Sequence, residues 1–341
     1  MKLLLVKTSS LGDLLHTLPA LRDLARHRPE VRVHWVVEES FQQIPTWSEP
    51  VERVIPVAWR QWRRTLWTSW RNHAIQEFLH TLRAETYDQI LDAQGLFKSA
   101  IMARLARGTL HGPDRHSARE PWATLLYQHT HRVPVERHAV ERLRLLFASA
   151  LDLPTPHGTA DFGLDPQRLR PPPESRTDSN HLLFLHGTTW ESKLWPETHW
   201  YALARLAHQA GLTIELPWGN AEELRRAQAI RDAAPPDACR ILPRSTLEQL
   251  AARLAGARAV IATDTGPAHL ASALAIPTIA LYGPTPTERI GIVGPKAFRL
   301  IGACPLAPCR QRICPLTTHR NACMHSLTPT EVWNTVLEVI S

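Results

Sequence analysis

The apolar positions of this chain come in short runs. Each ends in a polar loop, and most are followed by a segment of helical period. LLLV (3–6) is apolar on successive residues, the pattern of a strand buried on both faces. DLLHTLPALRDLARHR (13–28) then repeats its leucines at helical spacing. VRVHWVV (31–37) and VERVIPV (51–57) predict two further strands. YDQILDAQG (87–95) predicts a strand ending in a polar loop, and LFKSAIMARLAR (96–107) a helix. Strand and helix in alternation predict a parallel sheet with helices on its faces.

The rhythm breaks over 152–180, DLPTPHGTADFGLDPQRLRPPPESRTDSN, a proline-rich polar stretch with the character of a linker. It resumes with strand HLLFLHG (181–187) and helix PETHWYALARLAHQAG (196–211), opened by Pro196 and closed by Gly211. Strand LTIELPWG (212–219), helix LEQLAARLAGA (247–257), strand AVIATDTG (259–266), helix PAHLASALA (267–275) and strand PTIALYGPT (277–285) follow. TPTEVWNTVLEVIS (328–341) is a last helix. The expected organisation is α/β, with domains at 1–165 and 181–327 and a linker at 166–180. The helix 328–341 is able to pack back on the first domain. Two such halves put a crevice at the carboxyl ends of their strands, where ligands bind.

A chain of 341 residues accommodates two domains. No window of about 18 residues is apolar and uncharged, so no spanning helix is expected. The N-terminus MKLLLVKTSS runs directly into a strand rather than a secretory signal, and the expected location is the cytoplasm. The net charge is +7 and comes almost wholly from arginine, since Lys2, Lys7, Lys98, Lys193 and Lys296 are the only lysines. That charge fits solvated arginines or an anionic partner: phosphate, nucleic acid or an acidic membrane. Five cysteines are present, and Cys304, Cys309, Cys314 and Cys323 form C-x4-C-x4-C-x8-C, with His319 and His325 nearby. This is not the tight pairing of structural zinc sites, and packed, reduced thiols are expected.

Three loops carry candidate chemistry in the second half. In VIATDTGPAHLASAL (260–274) a strand turns into a helix whose first N–H groups, around Gly266, Ala268 and His269, suit an anion. Asp264 there reads alternatively as an ordinary helix cap. HGTTWESKLWP (186–196) offers Thr188, Thr189 and one of the few lysines, Lys193, fit to neutralise a leaving diphosphate. PWGNAEE (217–223) ends a strand with Gly219, Glu222 and Glu223, and an acid there can accept from ribose hydroxyls.

The first half carries Ser9, Ser10 and Asp13 at one strand end, and Asp92, Gln94 and Lys98 at another. No G-x-G-x-x-G is present, which disfavours a nicotinamide cofactor. Asp13 is either a carboxylate at a helix start or a general base. Over 59–71, Trp59, Trp62, Leu66 and Trp70 share a helical face beside Arg60, Arg64 and Arg71. That face suits either core packing or a membrane interface.

Taken together, these segments resemble the bacterial lipopolysaccharide heptosyltransferases. The resemblance rests on VKTSSLGDLLHTLPAL (6–21), WVVEE (35–39), VERVIPVAWRQWRR (51–64), DAQGLFKSA (92–100), AREP (118–121), TTWESKLWP (188–196), LPWG (216–219) and TDTGPAHL (263–270). It lies nearest to the members that attach the first heptose. It implies a GT-B glycosyltransferase fold, two Rossmann-like domains facing a central cleft. It also implies inverting transfer of L-glycero-D-manno-heptose from ADP-heptose to the Kdo of Kdo-lipid A, in inner-core synthesis. No metal or other cofactor is implied, ADP-heptose being a co-substrate. The implied partners are ADP-heptose, Kdo-lipid A and the inner-membrane surface, held peripherally from the cytoplasmic side, with no nucleic acid.

Residue by residue, the resemblance makes Asp13 the base. Thr188, Thr189 and Lys193 would hold the diphosphate, with Lys193 aiding departure. Glu223 would hold the ribose, and Asp264, Thr265, Gly266 and His269 would line the heptose and phosphates. Arg60, Arg63, Arg64 and Arg119, with Ser10, Gln94 and Lys98, would form the acceptor side. The cysteine-rich tail is more similar to heptosyltransferase II, so addition of the second heptose stays open. A basic nucleic-acid-binding protein is the alternative from another class.

Overall fold

The chain divides into two compact units, Met1–Gly163 and Leu164–Ser341, in a computed structural model that describes residues 1–64, 73–169 and 180–341. The division falls beside the expected end of the first domain at 165. Most of the expected linker, 170–179, lies outside the described residues.

The first unit is built on six parallel strands: β1 (Lys2–Val6), β2 (Arg32–Glu38), β3 (Val51–Val57), β4 (Thr86–Asp92), β5 (Arg107–Pro113) and β6 (His129–His131). Their order is β3-β2-β1-β4-β5-β6. β1 sits inside, with Leu5 opposite Trp35 on β2 and Leu91 on β4. Leu3 to Val6 are fully buried, which is why the run shows no polar alternation. The strand order reverses direction between β1 and β4, and loops beyond the carboxyl ends of such a pair are where ligands bind.

The helix expected over 13–28 is two helices, α1 (Leu11–Leu15) and α2 (Leu18–His27). Pro19 lies in the first turn of α2, where its missing N–H leaves no bond unmade, so a new helix starts there. α3 (Ala74–Arg83), α4 (Phe97–Leu105) and α5 (Ala139–Ala150) complete the unit's longer helices among the described residues. Of the helix expected over 59–71, the described part is a turn at Trp59–Trp62; Leu66, Trp70 and Arg71 lie outside the described residues. Trp62 is buried and meets Phe78 edge to face at 5.4 Å, so it packs in the core rather than facing lipid.

The second unit repeats the plan with β7 (His181–Leu185), β8 (Thr213–Leu216), β9 (Cys239–Ile241), β10 (Ala259–Thr263), β11 (Thr278–Tyr282) and β12 (Ala297–Ile301). All are parallel, in the order β12-β11-β10-β7-β8-β9. Its reversal lies between β10 and β7. The longer helices are α6 (Glu197–Gln209), α7 (Ala221–Ala233), α8 (Leu247–Gly256), α9 (Gly266–Ala273) and α10 (Pro329–Ile340). The C-terminal helix α10 puts Val332, Trp333 and Val336 into the second unit's core. It packs against α6, because its apolar stripe matches the groove that Trp200, Leu203 and Ala207 leave there.

Candidate functional site

The first unit's candidate site forms at the switch between β1 and β4. The Asp13 carboxylate is the third residue of α1, and its Oδ2 accepts from the Ser10 N–H at 3.0 Å and the Ser10 hydroxyl at 3.1 Å. Its Oδ1 takes the Arg119 guanidinium at 2.6 Å. Asp13 thus completes the capping box opened by Ser10 and forms a wall of a pocket lined by Lys7, Gln94, Ser117, Arg119 and Arg142. Burial alone would raise its pKa. Lys7, Arg119 and the Ser10 N–H outweigh that and hold the carboxyl far below the usual range.

Lys7 directly follows β1, is 4% exposed and donates to the Ala93 carbonyl at 3.0 Å. Burial brings its pKa down to about 8, against the pull of Asp13. Gln94 turns its Oε1 to the N–H groups of Thr8 at 3.1 Å and Ser9 at 3.3 Å, so it braces the loop as well as lining the pocket. Asp92 is consumed by structure. Its carboxylate accepts from Tyr127 at 2.7 Å, Ser99 at 2.8 Å and the N–H groups of Gln94 and Gly95.

A second basic group stands apart from this pocket. Arg60, Arg63 and Arg64 are exposed. Burial lowers the pKa of Lys98, which Glu38 counters and the charges of Arg60 and Arg63 reinforce. The Arg60 N–H donates to Glu38 at 3.1 Å.

The second unit's candidate site lies at the switch between β10 and β7. Lys193 meets the Asp264 carboxylate at 2.6 Å, with both side chains largely buried, and its ammonium stands 4.4 Å from the centre of the Trp190 ring. The Thr285 hydroxyl donates to the same Asp264 oxygen at 2.6 Å. Asp264 is therefore not the helix cap; that place belongs to Thr265. The Thr188 hydroxyl donates to the Asp264 carbonyl at 3.0 Å, while Thr189 is exposed. At the start of α9 the Ala268 N–H is already spent on the Thr265 carbonyl at 3.1 Å, which narrows the expected anion site toward Gly266. His269 is 9% exposed, one turn into the helix.

A pocket lined by Gly187, Trp218, Glu223, Thr246, Leu247 and Thr265 adjoins this helix start. Glu223 accepts from the Gly219 N–H at 2.7 Å, whereas Glu222 is paired with Arg225 at 2.9 Å. A Cβ at Gly187 would stand 2.6 Å from Glu223, so only glycine lets this carboxylate lie against the end of β7.

The family model for glycosyltransferase family 9 (heptosyltransferase) matches residues 75–319. The chain belongs to glycosyltransferase family 9. Lipopolysaccharide heptosyltransferase 1 of Pseudomonas aeruginosa is 47% identical over 315 residues, covering 92% of this chain and 87% of that protein. The Escherichia coli K12 protein of the same description is 45% identical over 296 residues, covering 86% and 91%. The structure of E. coli heptosyltransferase WaaC with ADP superposes with a TM-score of 0.88 at 39% identity, over 99% of this chain and 100% of that one. The two Rossmann-like units of this family 9 chain are those of a GT-B glycosyltransferase.

Lys7, Ser117 and Arg142 escaped the sequence reading. Lys7 left a weak signal, a rare lysine at the end of a buried strand; the other two are brought in by folding alone, the Arg142 guanidinium donating to the Ser117 carbonyl at 3.0 Å. The cysteine-rich segment has a structural place too. It supplies the Arg312 carbonyl to the Ser192 N–H at 3.1 Å, the Gln311 carbonyl to the Ser192 hydroxyl at 2.5 Å, and Arg320 to Glu191 at 2.9 Å. It thereby braces the turn that carries Lys193. All five cysteines are free thiols, and burial pushes Cys323, beside Cys304, up to about 11.

Proposed function

We propose that the protein is an inverting heptosyltransferase that moves L-glycero-D-manno-heptose from ADP-heptose to the Kdo of Kdo-lipid A. The observation that carries this reading is the single carboxylate of Asp13, ionised and set among Lys7 and Arg119 at a sheet switch point. An anionic acceptor suits that pocket, and one base suffices for a single displacement, whereas hydrolases use a pair of carboxylates. The high identity to proteins described as lipopolysaccharide heptosyltransferase 1 supports the reaction. The similar structure of E. coli heptosyltransferase WaaC with ADP-2-deoxy-2-fluoro heptose, at a TM-score of 0.84, supports the donor.

In this reading an acceptor hydroxyl oxygen attacks the anomeric carbon and the bond from that carbon to the diphosphate breaks. The hydroxyl proton passes to Asp13, and ADP leaves. The diphosphate takes Lys193 from Asp264, which frees that carboxylate to accept from sugar hydroxyls. Thr188, Thr189, Thr265 and Gly266 hold the phosphates, His269 lies along the donor, and Glu223 accepts from the ribose. A carboxylate held so far down is a weak base. Acceptor anions that engage Lys7 and Arg119 draw those charges off Asp13 and raise its basicity at the moment of use. Ser10, Gln94 and Arg142 shape the same pocket, while Arg60, Arg63, Arg64 and Lys98 meet more distant acceptor anions.

The acceptor's lipid places the work at the cytoplasmic face of the inner membrane. Among the described residues no helix is long and apolar enough to cross a membrane, so attachment is peripheral in this reading. No metal takes part: the rate is expected to survive exhaustive EDTA treatment, and a loss restored by a divalent ion would overturn this point.

The main test is mass spectrometry of Kdo-lipid A incubated with ADP-heptose and the protein, wild type and Asp13→Ala. Gain of one heptose, slowed at least about a hundredfold in the variant, is expected. Transfer only to an acceptor already carrying one heptose would move the assignment to the second step. A variant with near-normal turnover would remove Asp13 as base.

A further inference from the structure

Two adjoining elements of the first unit hold large apolar side chains in solvent. α4 turns Ser99, Ala100, Met102 and Ala103 inward and leaves Phe97 45% and Ile101 39% exposed, one turn apart. The short 3-10 turn Pro121–Leu126 packs along α4. It buries Ala123 and holds Trp122 73% and Leu125 75% exposed. Glu120 ties the two elements together. Its N–H donates to the Gly95 carbonyl at 3.0 Å, and its carboxylate accepts from the Phe97 N–H at 2.7 Å. The apolar groups therefore stand on a braced surface, and a cluster of this kind on a folded protein marks a contact face.

Cations border it. Lys98 follows Phe97, with Arg60 and Arg63 in electrostatic reach, Arg104 is exposed on α4, and Arg119 precedes Glu120. The nearby acids are engaged: Glu38 by the Arg60 N–H and Glu120 by Phe97. Apolar anchors that include an exposed tryptophan, bordered by lysine and arginine, match the headgroup boundary of an anionic bilayer. Face-to-face contact with a second copy would instead press two groups of cations together.

We infer that this face docks the protein on an anionic lipid surface, with Phe97, Ile101, Trp122 and Leu125 entering the interface and the cations meeting headgroup phosphates. The chain runs from Arg119, which holds Asp13, to Pro121 in two residues, so the anchor adjoins the acceptor pocket. The benefit of that adjacency rests on the proposed lipid-borne acceptor; the surface chemistry does not.

The test is co-sedimentation of the full chain with vesicles of phosphatidylcholine alone, or of phosphatidylcholine with phosphatidylglycerol. Wild type is compared with Trp122→Ser/Leu125→Ser and with Leu125→Glu, each checked for wild-type melting. Wild type sediments with the anionic vesicles, and each variant partitions at least about tenfold less. Each variant keeps wild-type transfer to a deacylated, water-soluble acceptor. Equal sedimentation of variants and wild type overturns the inference. So does a wild type that ignores anionic vesicles, or one that self-associates through this face in their place. Absence of transfer by any form, with the vesicle result intact, would remove the proposed reaction and leave the docking face standing.

Discussion

Lys7 shows how one residue sets the behaviour of a pocket. Its ammonium is buried beside Asp13 and Arg119, and its pKa of about 8 reflects the desolvation. At neutral pH it is mostly charged, and it loses the charge as pH rises through about 8. The kcat/KM for an anionic acceptor is therefore expected to fall across that range. Lys7→Arg, which stays charged, should carry the alkaline limb upward; an unchanged profile would show that another group titrates. The stability term has its own sign. The folded pKa lies below the unfolded value of 10.5, so the unfolded chain binds more protons between the two, and this residue's contribution improves as pH rises through that window. Asp13 has the same sign in a more acidic window: its folded pKa is also depressed, so the stability it contributes is present above the unfolded value and lost as pH falls toward the folded one. Asp13 was legible in the sequence because its chemistry sits on one loop after one strand. The partner that shapes it, Arg119, lies 106 residues away, and nothing local to position 13 reports it.

The Glu191–Lys193 turn is the element that positions a cation, and its support comes from the cysteine-rich segment. Two substitutions there separate strong from weak contacts. Ser192 is 2% exposed, and Ser192→Ala removes its hydrogen bond to the Gln311 carbonyl, a loss of about 1 kcal/mol. Donor KM should then rise about fivefold with kcat less affected, since the turn holds Lys193 without touching the reacting atoms. The Arg320–Glu191 pair is half exposed, so Glu191→Gln should change donor KM less than about twofold. Equal effects from both would mean that the segment does not position Lys193. The element pattern itself was readable where strands are buried on both faces, as in LLLV and HLLFLHG. Strands β5, β6, β9 and β12, with helices α3, α5 and α7, went unread. β6, β9 and β12 are short or lie at a sheet edge, and β5 carries two glycines and a proline, so their apolar signal is diluted.

At the scale of the molecule, the second unit is completed by the end of the chain. Trp333 on α10 is 8% exposed in a core with Trp195, Trp200 and Met324. Trp333→Ala is expected to destabilise this unit by about 3 kcal/mol, read as a lower melting temperature with ADP affinity kept below the transition. A melting temperature equal to wild type would mean that α10 is dispensable to the core. Repeated strand–helix alternation was enough to predict two parallel α/β halves, because a buried parallel sheet imprints its pattern on contiguous residues. The candidate loops followed, since ligands gather where such strands end. What each loop residue does with its neighbours was not contiguous information. Whether Asp264 caps a helix or holds Lys193, whether Trp62 faces lipid or Phe78, and where α10 lies are set by groups far apart in the chain, brought within a few ångströms only by packing.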